Sequence, residues 1–162
     1  LEKDESQYND ETEIFWASGA CFFIRKEVYR KLKGFDEDFF AHQEEIDLCW
    51  RAFNLNYKVK YNGKSTVYHV GGATLNESSP HKTFLNFRNS LWMMLKNVPK
   101  KKLFSTFFIR LTLDGQAGLH FALHGKFSHL FAVLKAHFYF YFFLFKFLNN
   151  DLSLKKLIIT IV

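Results

Sequence analysis

DEDFFAHQEEID, residues 36–47, carries six carboxylates and one histidine in twelve positions. The last four of these residues also belong to a longer stretch with helical spacing, residues 44–55. This stretch predicts a helix with an acidic first turn and an i,i+4 ion pair between Asp47 and Arg51. Because the helix dipole favours such carboxylates, a solvated helix start is one explanation of the cluster. The aromatic residues on both sides favour another, in which partly desolvated carboxylates line a cleft and serve as a general base or as metal ligands.

Strands and loops are predicted on both sides of this helix. Residues 14–25, IFWASGACFFIR, form an apolar run that a Ser-Gly pair interrupts. This pattern is typical of a buried strand in which the glycine allows another part of the backbone to approach closely. Residues 57–61 and 66–70 alternate around an Asn-Gly pair, which predicts a hairpin. Residues 26–32 predict a short helix, and residues 35–43 an ordered loop in which Phe39 and Phe40 are buried.

The second half of the sequence predicts three helices. Pro80 can open the first as its N1 residue, and Pro99 ends it, while residues 100–124 and 126–148 form the other two on either side of Gly125. A charged residue at the centre of a bilayer costs about 2.5 to 3.5 kcal/mol. The last helix is therefore expected to lie in a membrane interface rather than cross it, with one polar stripe through His124, Ser128, Lys135 and Lys146.

Composition excludes several classes of protein. With 162 residues, of which 48% are hydrophobic, the chain can bury a core, and disorder is excluded for most of it. Two cysteines are too few for a disulfide scaffold, so the thiols are expected to be reduced and the protein cytosolic. Leu1 stands where a Met would open a chain, and the acidic residues after it do not resemble a signal peptide. We expect Leu1 to be a cut end and the chain a fragment.

Charge is divided unevenly between the two halves. Residues 1–50 hold 6 basic and 13 acidic side chains, net −7, whereas residues 51–162 hold 16 basic and 3 acidic, net +13. Fourteen of the 21 phenylalanines lie at or after Phe84, so the basic half is also apolar, as a surface on anionic lipid would be. Nucleic acid is the competing explanation of the charge, but the basic residues are spread singly except at Lys100–Lys102, and no nucleic-acid-binding motif is present.

Three segments in the same order resemble the C-terminal half of family 2 glycosyltransferases, in particular the bacterial rhamnosyltransferase-like branch. They are WASGACFFIRKEVYRKLKGFDEDFFAHQEEIDLCWRA at 16–52, VYHVGGATL at 67–75 and HKTFLNFRNSLWMMLKN at 81–97. The resemblance implies an α/β fold, the C-terminal part of a GT-A type α/β/α sandwich with few strands and an acceptor-side helix, followed by amphipathic C-terminal helices. The half that binds the nucleotide-sugar and carries the DxD metal motif in this family has no counterpart here.

The resemblance also implies roles for individual residues. Glu45 falls on the catalytic base of the Glu-Asp motif, with Glu44 as its neighbour, and because the family usually has Asp there, Asp47 is an alternative contributor. His69 matches a histidine that binds metal or diphosphate in some relatives. A divalent metal, Mg or Mn, is expected mainly in the donor half. The implied acceptor-binding residues lie in the first segment: Trp16, Ser18, Gly19 and Ala20.

These observations predict two regions and one reaction. Residues 1–79 are interpreted as the acceptor and base part of a glycosyltransferase domain, and residues 80–162 as a helical, membrane-interfacial extension. The enzyme would transfer a sugar from a nucleotide-sugar to a glycan or lipid-linked acceptor with inversion, on the inner face of the cytoplasmic membrane, and this fragment alone would be inactive. The rival hypothesis is a non-catalytic membrane-interfacial module whose acidic half binds a basic partner.

Overall fold

The computed structural model describes residues 3, 5, 7–69 and 79–150, with side chains up to residue 144. The chain forms two compact units, Leu1–Ala73 and Thr74–Val162. The described part is mostly helical and contains a sheet of two strands. This composition is compatible with a piece of an α/β protein, whereas the α/β/α sandwich implied by the resemblance remains a prediction.

The first unit combines the small sheet with two helices. Strands β1 (Glu11–Ile14) and β2 (Val59–Asn62) pair antiparallel, with Ile14 opposite Val59. Between them lie α1 (Lys26–Lys31), a 3₁₀ turn (Glu37–Phe39) and α2 (Glu44–Asn54). The core between the helices is small and aliphatic, and three aromatic residues pack against it: Val28, Leu32, Leu48 and Ala52, with Phe22, Tyr29 and Tyr57.

The predicted buried strand over residues 14–25 is wrong except at its first residue. A turn at Gly19-Ala20, in which the Ser18 hydroxyl accepts the Ala20 N–H at 3.2 Å, redirects the backbone. The residues that follow are irregular, and apart from Phe22, which packs on the core, they are open to solvent; Phe23 is 97% exposed. An apolar run becomes a buried strand only if other strands pair with it, and the described residues supply none here.

The other predictions for this unit have mixed outcomes. The helices predicted over 26–32 and 44–55 are confirmed as α1 and α2, and β2 confirms the strand predicted over 57–61 with a small shift. Residues 66–69 form no strand, and Val70 lies outside the described residues. In the loop, Phe39 is buried as predicted, but Phe40 is 81% exposed, because its positive φ of 59° turns the chain away from the core.

A buried ion pair holds α1 and α2 together. Asp47 is completely buried, and its carboxylate accepts the Arg51 Nε–H at 2.7 Å, which confirms the predicted i,i+4 pair. The same guanidinium also donates to the backbone carbonyls of Leu32 and, at 2.9 Å, of Gly34, just after α1 ends. Gly34 has a φ of +71°, a conformation that glycine adopts without strain. One arginine thus fixes the end of α1 against α2.

The second unit consists of three helices: α3 (Pro80–Asn97), α4 (Lys100–Leu123) and α5 (Phe127–Asn150). Ser79 caps α3, its hydroxyl accepting the His81 N–H at 3.2 Å. Helix α4 is continuous through Gly115. The core is formed mainly by apolar side chains of α3 and α5, including Leu85, Leu91, Val133, Ala136 and Phe140.

Replacing the buried carboxylate should destabilise the first unit strongly. Asp47→Asn leaves the Arg51 guanidinium without its counter-charge, so we expect the free energy of unfolding to fall by about 3 kcal/mol. Urea denaturation followed by circular dichroism measures this loss. The matched control is Glu13→Gln, which removes the exposed ion pair with Lys58 and should cost less than about 1 kcal/mol. Equal losses in the two variants would contradict the role assigned to Asp47.

Candidate active site

The backbone that leads into α2 is strained. Phe40, His42 and Gln43 have φ values of 59°, 68° and 76°, in the left-handed region that residues with a side chain rarely adopt. Gln43 is the N-cap and makes no capping hydrogen bond with its side chain. Strain of this kind persists where the surrounding structure fixes it, and it clusters at functional sites. Here it places Glu44 and Glu45 in the first turn of α2.

The segment after β1 runs along α2 toward the start of that helix. The Phe15 ring lies edge-on to Trp50, with 5.5 Å between the ring centroids. Two residues later, the backbone of Ala17 forms a hydrogen bond with the thiol of Cys49. These contacts occur at successively earlier positions of α2. Their direction brings the Gly19-Ala20 turn to the acidic first turn of the helix.

Gly19 lies directly beside Glu45. A Cβ atom at position 19 would lie 3.7 Å from both Cγ and Cδ of the Glu45 side chain, which is ordinary van der Waals contact. The Glu45 side chain therefore lies against the backbone of the turn at ordinary contact distance. The structure therefore brings together two residues that the resemblance placed in the same site.

Burial changes the acidity of Glu45. Partial burial raises the pKa of the Glu45 carboxyl above its ordinary value, and the neighbouring charge of Glu44 raises it further, while a hydrogen bond from the Glu45 backbone lowers it. Burial likewise raises the pKa of the Cys49 thiol one turn later, which keeps this cysteine protonated beside the carboxyl. A carboxylate with a raised pKa is a stronger base than an ordinary glutamate.

An open cleft of about 520 Å³ surrounds these residues and is called the carboxylate cleft below. Its lining consists of four carboxylate residues, two phenylalanines and one glycine: Asp36, Glu37, Glu44, Glu45, Phe35, Phe40 and Gly19. The sequence identified the acidic cluster as chemically dense, but Asp36 and Glu37 were not named as site residues. Phe40 was missed because a phenylalanine in an ordered loop was expected to be buried.

The remaining predicted acceptor residues lie elsewhere. Trp16, Ser18 and Ala20 line a larger cleft of about 890 Å³, called the apolar cleft below, whose floor includes Leu48 and Ala52 of the core. Trp16 is 43% exposed, so its ring is accessible from this cleft. Of the four predicted acceptor residues, only Gly19 lines the carboxylate cleft.

Asp47 and His69 line neither cleft. The Asp47 carboxylate is buried in its ion pair with Arg51, and His69 is exposed. Among the described residues, no group of three or more His, Cys, Asp or Glu side chains could hold a metal ion. The donor set required for Mg or Mn is therefore not present in the part of the chain that the structure describes, and no catalytic step is assigned to a metal here.

Comparison with known proteins gives a partial similarity. No family model matches the sequence, and no solved structure matches it. The chain is similar to the N-acetylglucosaminyl-diphospho-decaprenol L-rhamnosyltransferase of Mycobacterium tuberculosis, with 30% identity over 59 residues that cover 36% of this chain and 19% of the relative. It is also similar to rhamnosyltransferase WbbL of Escherichia coli K12, with 33% identity over 57 residues, 35% of this chain and 21% of the relative.

The chain spans about a fifth of the length of the curated relatives that it matches. These matches support a glycosyltransferase-like family, in agreement with the resemblance of the sequence motifs.

Replacing Glu45 should stabilise the chain at neutral pH and leave it unchanged in acid. Because its pKa is higher in the folded chain than in the unfolded chain, the folded chain binds more protons between the two values, and the free energy of unfolding falls as pH rises through them. Glutamine does not ionise, so Glu45→Gln removes this loss of stability at higher pH. Urea denaturation at pH 7 should show a more stable variant, and denaturation at a pH below the ordinary value of 4.5 should show no gain. A variant less stable at pH 7 would contradict the desolvation of Glu45.

Proposed function

We propose that this chain is the acceptor-binding and base-bearing part of an inverting glycosyltransferase. The enzyme transfers a sugar from a nucleotide-sugar to a hydroxyl group of a glycan or lipid-linked acceptor. The observation that carries the proposal is the position of Glu45, a carboxyl with a raised pKa that lies beside Gly19 and opens onto the carboxylate cleft. The partial similarity to two rhamnosyltransferases supports the class of reaction.

In the proposed mechanism, the acceptor hydroxyl lies in the carboxylate cleft within hydrogen-bond reach of Glu45. Glu45 accepts the hydroxyl proton while the acceptor oxygen forms a bond to the anomeric carbon of the donor sugar. The bond from that carbon to the nucleoside diphosphate breaks, the diphosphate keeps the electron pair, and the configuration at the carbon inverts. The charge of Glu44 supports this step because it raises the basicity of its neighbour.

The other site residues have supporting roles in this proposal. Phe35 and Phe40 form walls of the cleft that can pack against the apolar face of a sugar ring. Trp16, Ser18 and Ala20 would contact a more distant part of the acceptor along the apolar cleft. Asp47 positions α2 through its ion pair and does not contact the substrate.

The donor and the metal are assigned to a donor-binding half that the described residues do not include. The divalent metal, Mg or Mn, would be held there and would stabilise the charge of the departing diphosphate. His69 keeps its predicted role as a metal ligand only together with ligands from outside the described residues.

We place the enzyme on the inner face of the cytoplasmic membrane, with no nucleic acid among its partners.

The alternative is a non-catalytic membrane-interfacial module. The observation that favours it is the extent of apolar surface on the second unit, which an enzyme does not need for its chemistry. The two hypotheses differ in the carboxylate cleft. A binding module does not need a proton acceptor at Glu45. Its binding to a basic partner would depend only on the charge of the acidic residues.

Replacement of the proposed base should abolish transfer. In the full-length enzyme, we expect Glu45→Gln to lower kcat at least about a hundredfold, because it keeps the shape of the side chain and removes the proton acceptor. The KM for the nucleotide-sugar should stay the same. Glu44→Gln should lower kcat less, because Glu44 acts through the basicity of Glu45. Release of nucleoside diphosphate measures the rate, and the 162-residue chain alone should show none.

The matched control is Asp47→Asn, assayed at a temperature where it remains folded. It should lose thermal stability but keep most of its kcat, since Asp47 lines neither cleft. If Asp47→Asn abolishes transfer in a folded protein while Glu45→Gln stays active, the base is Asp47 and the proposal is wrong. Turnover by the isolated chain would disprove the assignment of the donor to a separate half.

A further inference from the structure

Helix α5 presents one continuous face of large apolar side chains to solvent. These residues recur every three or four positions, which places them on a single side of the helix. We call them the α5 stripe; each is more than half exposed: Phe127 56%, Phe131 65%, Leu134 56%, Phe138 73% and Phe142 56%. Helix α4 adds further exposed apolar residues, Phe104, Phe108, Leu119 and Leu123. Exposed apolar area on this scale marks an interaction surface.

The stripe is not needed to hold the second unit together. The opposite face of α5 carries Ala136 and Phe140, which are completely buried, and the Phe140 ring packs against Trp92 of α3 at 4.9 Å between centroids. It also stacks on Phe107 of α4 at 5.6 Å. The helix therefore has one face that completes the core and another that packs on none of it. Only a partner from outside the second unit could cover the α5 stripe.

The charges of this unit indicate the chemistry of that partner. Residues 79–150 contain ten Lys or Arg and one acidic residue, Asp114. That carboxylate is buried, and it pairs with Arg110 Nε at 2.7 Å and with His137 Nε2 at 2.9 Å. It therefore offers no negative charge to a partner, whereas Lys100, Lys101, Lys102 and Lys126 are exposed. A surface that is both apolar and cationic complements a bilayer with anionic headgroups.

The polar contacts of α5 determine how it meets the bilayer. Among the described residues, one helix, over Phe127–Leu144, is long and apolar enough to cross a membrane by length and composition. Polar groups, however, lie along its length, on its packed face and also beside the stripe, where Lys135 is exposed. The Thr83 hydroxyl lies 2.8 Å from Nδ1 of His129, Lys135 lies 5.2 Å from the Phe84 ring centroid, and His137 binds Asp114. A spanning helix would carry these groups into hydrocarbon, which is unfavourable.

We propose that the α5 stripe is a membrane-inserting surface, which enters one leaflet of an anionic bilayer while the inner face of α5 stays packed on α3 and α4. The phenylalanine rings reach the acyl chains, and the exposed lysines lie at the level of the headgroups. This surface acts independently of sugar transfer, so the inference holds whether or not the proposed reaction is correct.

Cosedimentation of the 162-residue chain with vesicles tests the proposal. The chain should bind vesicles of phosphatidylcholine and phosphatidylglycerol, more weakly in high salt but still measurably, because salt screens only the charge part. Phe131→Ser combined with Phe138→Ser should weaken binding about a hundredfold, about tenfold for each lost ring. Both side chains are exposed, so the helix content should stay unchanged. The matched control, Phe53→Ser with Tyr68→Ser, removes two exposed rings of the first unit that line neither cleft and should bind normally.

Three results would overturn the inference. Vesicle binding by the stripe variant equal to that of the unmodified chain would remove the stripe from the contact. A soluble dimer that the stripe variant abolishes, without vesicle binding by the unmodified chain, would assign the stripe to a second copy. Vesicle-bound chain that resists extraction at alkaline pH would show that α5 crosses the bilayer.

Discussion

The ion pair between Asp47 and Arg51 is the constraint on which the first unit depends. A carboxylate without exposed surface is stable only with a counter-charge, and Arg51 supplies it from the next turn of α2. The same guanidinium donates to two backbone carbonyls at the end of α1, so the charge that neutralises Asp47 also fixes the angle between the helices. The small aliphatic core could not achieve this alone, since apolar contacts carry little directional preference.

The fixed start of α2 gives neighbouring carboxylates different properties. Asp47 is fully buried and paired, whereas Glu45, half a turn earlier, is partly buried beside a glycine turn with another carboxylate next to it. The first arrangement stabilises the fold, and the second costs stability because it disfavours the charged form. A cost of this kind is expected where a protein needs a basic carboxylate. The strained backbone before α2 lies next to the same residues.

The sequence predicted the helices well because helical periodicity is local. The boundaries of α1, α2 and α3 and the ion pair between Asp47 and Arg51 follow from spacing within a few residues. The strands were predicted less well, since residues 15–25 have the composition of a buried strand but no neighbour to pair with in the described chain. Strand formation depends on distant partners, which local pattern cannot reveal.

The candidate site shows the same division. The acidic cluster and its proximity to Gly19 could be expected from the motifs, but spacing could not show that Ser18 and Ala20 face a different cleft from Gly19. A single turn separates them, and its direction depends on how the segment packs along α2. Likewise, the exposure of Phe40 follows from one backbone angle rather than from its chemistry.

The most direct test of the account is an NMR titration of the Glu45 side-chain carboxyl in the 162-residue chain. The account predicts a pKa above the ordinary value of 4.5, and a smaller elevation in the Glu44→Gln variant, because the neighbouring charge is then absent. A Glu45 pKa at or below 4.5 would show a solvated surface carboxylate, and it would contradict the central claim that the start of α2 holds a base.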